Sequence, residues 1–244
     1  MPELPEVETT RRGIEPYILG KKFTDISIRE HRLRWSVNKD LNAELTGLVI
    51  QSVSRRAKYL LIITEKGTLI IHLGMSGSLQ IASSDKPIGK HDHVDFIFSD
   101  NTTLRFNDPR RFGAILWTTK SVDKHPLIKL LGPEPLSNNF TGDQLYRESR
   151  NRKLPVKSFI MNNHIVVGVG NIYANEALFK AGIHPKRQAG RISLSRYIHL
   201  TQCIRTVLKQ AIEQGGTTLR DFVNESGKPG YFQQALSVYG HAGE

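Results

Sequence analysis

The sequence has one cysteine, Cys203, among 244 residues. A single thiol excludes an internal disulfide framework and a thiolate zinc site within this chain, and it makes a reducing cytoplasm the default compartment. Long hydrophobic runs are also missing, because no apolar stretch approaches the ~18 residues that a membrane-spanning helix needs. The N-terminus, MPELPEVETT, is acidic and polar, the reverse of a signal peptide. We therefore expect a chain without a membrane span.

Acidic residues are scarce relative to basic ones. The chain holds 34 Lys and Arg against 23 Asp and Glu, a net charge of +11. The excess is asymmetric, since residues 147–244 hold 14 Lys and Arg against 6 Asp and Glu. A basic excess of this kind favours a polyanionic partner, although a merely basic surface is the alternative interpretation.

The hydrophobic pattern changes along the chain. Residues 4–18 are predicted to form a short helix, with Pro5 in a first turn. Residues 21 to about 118 contain β-branched and aromatic runs, interrupted by turn formers at 65–67 and 99–101. This alternation predicts a mostly antiparallel, two-layer β unit.

A segment rich in proline and turn formers, LGPEPLSNNF at 131–140, is the predicted linker. After it the apolar period becomes helical, which predicts helices at 141–152, 156–163, 171–182 and 193–214. The expected fold class is α+β: an N-terminal helix and antiparallel β-sandwich (residues 1–131), then a helical domain (132–244).

The first residues carry unusual chemistry. Removal of Met1 would leave Pro2 as a free secondary amine, and an α-amino group with a pKa near ~7.7–8.0 is deprotonated far more often than a lysine at neutral pH. Such an amine can attack a sugar carbon and form an iminium, and Glu3 could protonate a ring or leaving oxygen. A frayed terminus with chance carboxylates is the alternative.

The context of this terminus, MPELPEVETTRRGIEP, resembles the N-terminal signature of bacterial formamidopyrimidine-DNA glycosylase, an 8-oxoguanine DNA glycosylase and AP lyase. Further similar motifs run along the whole chain: RRAKYLL, HLGMSGSL, KHDHVD, DPRRFG, LGPEPL, VVGVGNIYANEALF, AGIHP, QGGTTLRDF, GKPGYF and VYG. The resemblance implies a helix–two-turn–helix element in the helical domain. It also implies a bacterial, cytoplasmic and nucleoid-associated monomer that acts on double-stranded DNA containing oxidised purines or abasic sites.

The resemblance implies roles for individual residues. Pro2 is the nucleophile, Glu3 the acid and Lys58 a phosphate-contacting proton donor for β-elimination. The wedge set, defined here as Met75, Arg110 and Phe112, fills the space left by an extruded nucleotide; enzymes that act on a base must first extrude it. The other implied DNA contacts are His72, His91, Arg152 or Lys153, Asn171 and Tyr239, and residues 217–232 resemble a loop that closes over the everted base.

Two motifs also allow interpretations from spacing alone. His91 and His93 lie two apart, so a strand would place both imidazoles on one face as metal ligands, but we favour a DNA contact for His91. Gly168 and Gly170 precede a predicted helix, and they predict close backbone approach with free N–H groups for a phosphate.

The sequence departs from the family's pattern at both ends. In the family a four-cysteine hairpin binding one structural zinc ion follows the VYG motif, whereas this sequence stops at Glu244 without those ligands. We expect a truncated chain or an omitted segment, and no cofactor for catalysis. Retained Met1 would leave the Pro2 nitrogen an amide. The missing zinc ligands leave a catalytically impaired DNA-binding form as one alternative. A second alternative keeps the chemistry but changes the substrate: an oxidised-pyrimidine glycosylase of the endonuclease VIII branch.

Overall fold

The structure, a computed structural model, describes residues 2–83, 85–216 and 236–241. The described residues form two compact units. The first unit contains Pro2 and Glu6–Lys129, and the second contains Glu3–Pro5, Leu130–Gly216 and residues 236–241. None of the helices described is both long and apolar enough to cross a bilayer.

Where the structure describes the first unit, it consists of two antiparallel four-stranded sheets and helices. One sheet has the order β1-β6-β7-β5 and the other β2-β3-β4-β8. The strands are β1 Phe23–Ile28, β2 Ile50–Arg56, β3 Tyr59–Thr64, β4 Thr68–His72, β5 Ser78–Ser83, β6 Asp92–Phe98, β7 Thr102–Asn107 and β8 Ala114–Thr118. Helix α1, Leu4–Ile18, precedes them. Buried side chains from both sheets and from α1 form one hydrophobic core, which confirms the predicted two-layer unit.

Local chemistry accounts for the hairpins. Glu65, Lys66 and Gly67 connect β3 to β4, and the Thr64 backbone N–H donates to the Gly67 carbonyl at 2.9 Å. The β6–β7 turn contains Asn101 with φ of 64°, a left-handed conformation that asparagine tolerates. Both predicted turns are confirmed. Sequence reasoning missed α2, Leu41–Leu45, because five residues are too short for a helical period to stand out.

The described residues of the second unit form four α-helices: α3 Gly142–Ser149, α4 Val156–Ile160, α5 Asn171–Lys180 and α6 Leu194–Glu213. Their positions confirm the predicted helices. Helix α6 buries an apolar face that includes Leu200, Ile204 and Leu208.

The predicted linker forms no helix or strand, but α6 holds part of it in place. The Arg205 guanidinium donates to the carbonyls of Pro135, Ser137 and Phe140 at 3.2, 2.7 and 2.6 Å. These bonds satisfy carbonyl acceptors of a segment that has no helix or sheet ladder, although the Ser137 carbonyl also accepts the Phe140 N–H at 3.4 Å.

Candidate active site and nucleic-acid interface

The N-terminal residues are ordered rather than frayed. Pro2 is buried and precedes α1, which begins at Leu4. Glu3 is 2% exposed, and its carboxylate accepts the backbone N–H groups of Gly170, Ile172 and Tyr173 at 2.7, 3.0 and 3.5 Å. A carboxylate in this position caps the N-terminus of α5 and meets the positive end of its dipole. The residue next to Pro2 is therefore fixed in the second unit.

The two glycines before α5 serve this contact. A side chain at position 170 would collide with the Glu3 carboxylate, and one at 168, where φ is +77°, would collide with Leu4. The prediction that their close approach leaves these N–H groups free for a phosphate is wrong, because Glu3 occupies the N–H groups of Gly170, Ile172 and Tyr173. Asn171 has an exposed side chain at the first position of α5, and its phosphate contact stays a prediction.

In the first unit, two members of the wedge set line one cleft. Met75 and Phe112 are 37% and 50% exposed, and the cleft has a volume of about 590 Å³. Its walls are Leu33, Arg34, His72, Gly74, Met75, Arg111 and Phe112. Gly74, with φ of 65°, lies so close to the Phe112 backbone that a side chain would not fit there. The two wedge-bearing segments, one carrying Met75 and the other carrying Arg110 and Phe112, therefore pack directly together. Arg110 is exposed two residues before Phe112.

His72 lies in this cleft as a neutral imidazole. Burial lowers its pKa from 6.5 to about 4, and the positive charges of Lys58 and Arg34 act in the same direction. Its Nδ1 accepts the Gly74 backbone N–H at 3.0 Å, so the ring proton resides on Nε2. The ring also contacts Tyr59, with centroids 5.0 Å apart. The arrangement provides a hydrogen-bond donor without adding charge.

Lys58 lies in the tight turn between β2 and β3. The ladder pairs Arg56 with Tyr59, which leaves Ala57 and Lys58 as the turn. Ala57 has φ of 54°, a strained conformation for a residue with a side chain. Since Tyr59 pairs with His72 on β4, the turn holds Lys58 near the cleft residue whose pKa it lowers.

His91 and His93, which their spacing suggested as a pair of metal ligands, have different surroundings in the structure. His93 is buried and its Nε2 bonds to the Asp108 carbonyl at 2.8 Å, whereas His91 is half-buried, with its ring 6.4 Å away. Among the residues described, no group of three or more His, Cys, Asp or Glu side chains could hold a metal ion. The lone Cys203 is buried on α6 and does not fit the family's four-cysteine zinc site, so no step is assigned to zinc.

Two further predicted contacts lie in the second unit. Arg152 and Lys153 are both exposed, but the Arg152 guanidinium lies 5.5 Å from the centre of the Phe159 ring. Tyr239 is partly exposed, and its backbone N–H donates to the Glu176 carboxylate at 3.1 Å. The predicted capping loop, residues 217–232, lies outside the described residues.

Sequence reasoning missed Glu176. This buried residue of α5 also accepts the backbone N–H groups of Ser237 and Val238, at 2.8 and 2.9 Å. The available signal was an acidic residue among the apolar positions of the predicted helix 171–182, because a buried carboxylate requires hydrogen-bond partners. Helix α5 thus carries both Asn171 and the anchor of the Tyr239 backbone.

Comparison with known proteins gives one consistent result. The formamidopyrimidine-DNA glycosylase N-terminal domain model matches residues 1–115, and the H2TH domain model of the same family matches residues 131–223. Proteins named formamidopyrimidine-DNA glycosylase from Marinobacter nauticus and Stutzerimonas stutzeri are 61% and 59% identical to this chain. Each alignment covers 100% of this chain and 90% of the relative.

Solved structures agree with this result. A mutant of Lactococcus lactis Fpg in complex with DNA containing Fapy-dG superposes with a TM-score of 0.92 at 35% identity, covering 100% of this chain and 90% of that one. The same protein bound to abasic-site DNA gives a TM-score of 0.90 at 35% identity, with 99% and 89% covered. The chain belongs to the formamidopyrimidine-DNA glycosylase family.

Proposed function

We propose that this protein is a bifunctional base-excision repair enzyme that removes oxidised purines, 8-oxoguanine and formamidopyrimidines, from double-stranded DNA and then cleaves the strand. The names of its relatives and the lesion-containing DNA in the Lactococcus lactis complexes support the substrate class. We assign catalysis and the wedge set to residues 1–131, and the helical part of the DNA-binding surface to residues 132–244.

The observation that carries the proposal is the exposure of Met75 and Phe112 at one cleft. Large apolar side chains at a cleft bordered by Arg34, Arg111 and a neutral histidine suit insertion into a base stack flanked by phosphates. Arg110, on the same loop as Phe112, can donate to the base left without its partner. These groups would stabilise the duplex while the damaged nucleotide is outside it.

The chemical steps follow from Pro2 as a free amine. Its nitrogen attacks C1′, the N-glycosidic bond breaks, and the base leaves with the bonding electron pair. Glu3 passes the proton that the Pro2 nitrogen loses after attack to the ring oxygen, the bond between C1′ and that oxygen breaks, and the sugar opens to an iminium. The position of Glu3 under three backbone N–H groups supports a role that requires fixed geometry.

Strand cleavage uses the same intermediate. The iminium acidifies the C2′ proton, and its loss expels the 3′ phosphate; a second elimination expels the 5′ phosphate. Lys58 transfers protons in the first elimination, and His72 donates from Nε2 to the DNA backbone. His91, Asn171, Tyr239 and either Arg152 or Lys153 provide the remaining backbone contacts.

Single-turnover assays on matched duplexes test this proposal. The protein with Met1 removed should excise 8-oxoguanine opposite cytosine and leave phosphates at both ends of the gap, while excising thymine glycol far more slowly. Faster excision of thymine glycol would instead support the endonuclease VIII alternative. Duplex binding without excision would support a DNA-binding form.

A further inference from the structure

We infer that Asp108 is a positioning residue that joins the two wedge-bearing segments into one preformed element. This inference rests on the proposed function, because it concerns how Met75, Arg110 and Phe112 reach the base stack together. The Asp108 side chain is 0% exposed, although it carries a carboxylate. A buried carboxylate is costly unless hydrogen bonds satisfy it, so its partners indicate what it holds.

Each carboxylate oxygen of Asp108 binds a different part of the loop that follows it. Oδ2 accepts the Gly113 backbone N–H at 2.8 Å, and Oδ1 accepts the Arg110 backbone N–H at 3.3 Å. The Arg111 backbone N–H donates to the Asp108 carbonyl at 3.2 Å, although Arg111 has an unfavourable φ of 57°. These bonds close the loop around Asp108 and leave the side chains of Arg110 and Phe112 exposed.

The second segment is joined through Ser76. Its hydroxyl donates to Asp108 Oδ1 at 2.7 Å and accepts the Arg110 backbone N–H at 3.2 Å. Ser76 is buried, directly follows Met75, and lies in a turn that the Gly77 N–H closes onto the Leu73 carbonyl at 2.8 Å. The orientation of the Met75 backbone is therefore tied to the loop that carries the other two wedge residues.

The Asp108 backbone also binds strand β6 and the residue that precedes it. The Asp108 carbonyl bonds to His93 Nε2 at 2.8 Å, and its N–H donates to the His91 carbonyl at 3.0 Å. Insertion then requires little ordering of the two segments, because their conformational entropy was already lost on folding. Without the Ser76–Asp108 bond, the two segments would have to be ordered together during insertion.

Stopped-flow fluorescence of 2-aminopurine, placed beside 8-oxoguanine in a duplex, tests the inference. The Ser76→Ala variant removes the link between the segments, and we expect the fluorescence rise that reports base eversion to slow about tenfold. The Asp108→Asn variant should also slow, because its NH₂ group cannot accept the Gly113 N–H that Oδ2 binds, even where its amide oxygen still accepts from Ser76. Ser78→Ala, which alters another buried serine on β5, is the matched control and should leave the rate unchanged.

A second substrate separates positioning from a general loss of structure. In a duplex that lacks the base opposite the lesion, eversion is easier and no orphaned base needs support, so the Ser76→Ala deficit should shrink to less than twofold. If Ser76→Ala slows eversion by the same factor on both duplexes, or slows it on neither, the inference is overturned. If the unaltered protein everts no base and forms no covalent complex with DNA, the proposed function fails instead.

Discussion

The Glu3 carboxylate accepts the Gly170 backbone N–H at 2.7 Å, which joins a candidate catalytic residue to the start of α5. The two residues are separated by 167 positions in the sequence. A carboxylate held by three N–H donors has little rotational freedom, so the geometry of the residue next to Pro2 is set before substrate binds.

Replacing Gly170 by alanine tests this relationship. The added methyl group would collide with the carboxylate of Glu3, so we expect glycosylase rates to fall by about 10² or more, the scale of a lost acid catalyst. Gly182→Ala is the control, because position 182 follows the other end of α5 and has open space around it. Its φ of 62° should cost about 1–2 kcal/mol of stability but little activity. Equal activity in the two variants would contradict the account.

The lowered pKa of His72 predicts a specific pH dependence of stability. The folded-state pKa is about 4, below the ordinary 6.5, so the unfolded chain binds the proton more tightly. Stability is therefore highest above pH 6.5 and falls as the pH drops towards 4, by about 2 kcal/mol at pH 5 and about 3 kcal/mol at pH 4.

Urea unfolding at pH 7 and pH 5 measures this difference. In the His72→Asn variant, the amide oxygen can still accept the Gly74 N–H but the titrating group is absent, so its stability should change less between the two pH values. An NMR titration should place the His72 pKa well below 6. An ordinary value near 6.5 would show that the ring is not buried as described.

Arg152 and Lys153 differ in what they already contact. Because the Arg152 guanidinium lies over the Phe159 ring, we expect Lys153 to make the phosphate contact. Lys153→Ala should weaken duplex binding and reduce the slope of log K against log salt by about 1, whereas Arg152→Ala should change it less. Duplex-binding titrations at several salt concentrations measure both slopes. A larger effect of Arg152→Ala than of Lys153→Ala would assign the contact to Arg152.

Glu176 should affect DNA binding through the backbone of Tyr239. Glu176→Gln leaves one acceptor oxygen where two now bind three N–H groups, and we expect affinity for lesion duplex to fall about tenfold, or ~1.4 kcal/mol. Tyr239→Phe should add little to this loss in the double variant, since both changes act on one contact. Glu213→Gln, at the exposed end of α6, is the control. Fully additive losses would contradict the coupling.

Periodicity predicted the fold well because its signals are local. The continuous apolar runs of β3 and β4 and the apolar face of α6 follow directly from which side chains can be buried together. The short helix α2 escaped detection, since five residues do not define a period.

The site was harder to predict, because its important bonds are non-local. The motif around Gly168 and Gly170 indicated a close approach, but only the folded chain shows that the approaching group is Glu3. Asp108 and Glu176 likewise bind backbone N–H groups whose positions the sequence does not reveal. The types and order of the residues therefore suggested the candidate site residues. The backbone hydrogen bonds of Glu3, Asp108 and Glu176 could be found only in the structure.

The most direct test of the central claim is to trap the reaction with borohydride on 8-oxoguanine duplex and map the cross-linked peptide by mass spectrometry. We expect a single attachment, at the nitrogen of Pro2 in protein that has lost Met1. Attachment at Lys58 or any other residue, or turnover by protein that retains Met1, would contradict this claim.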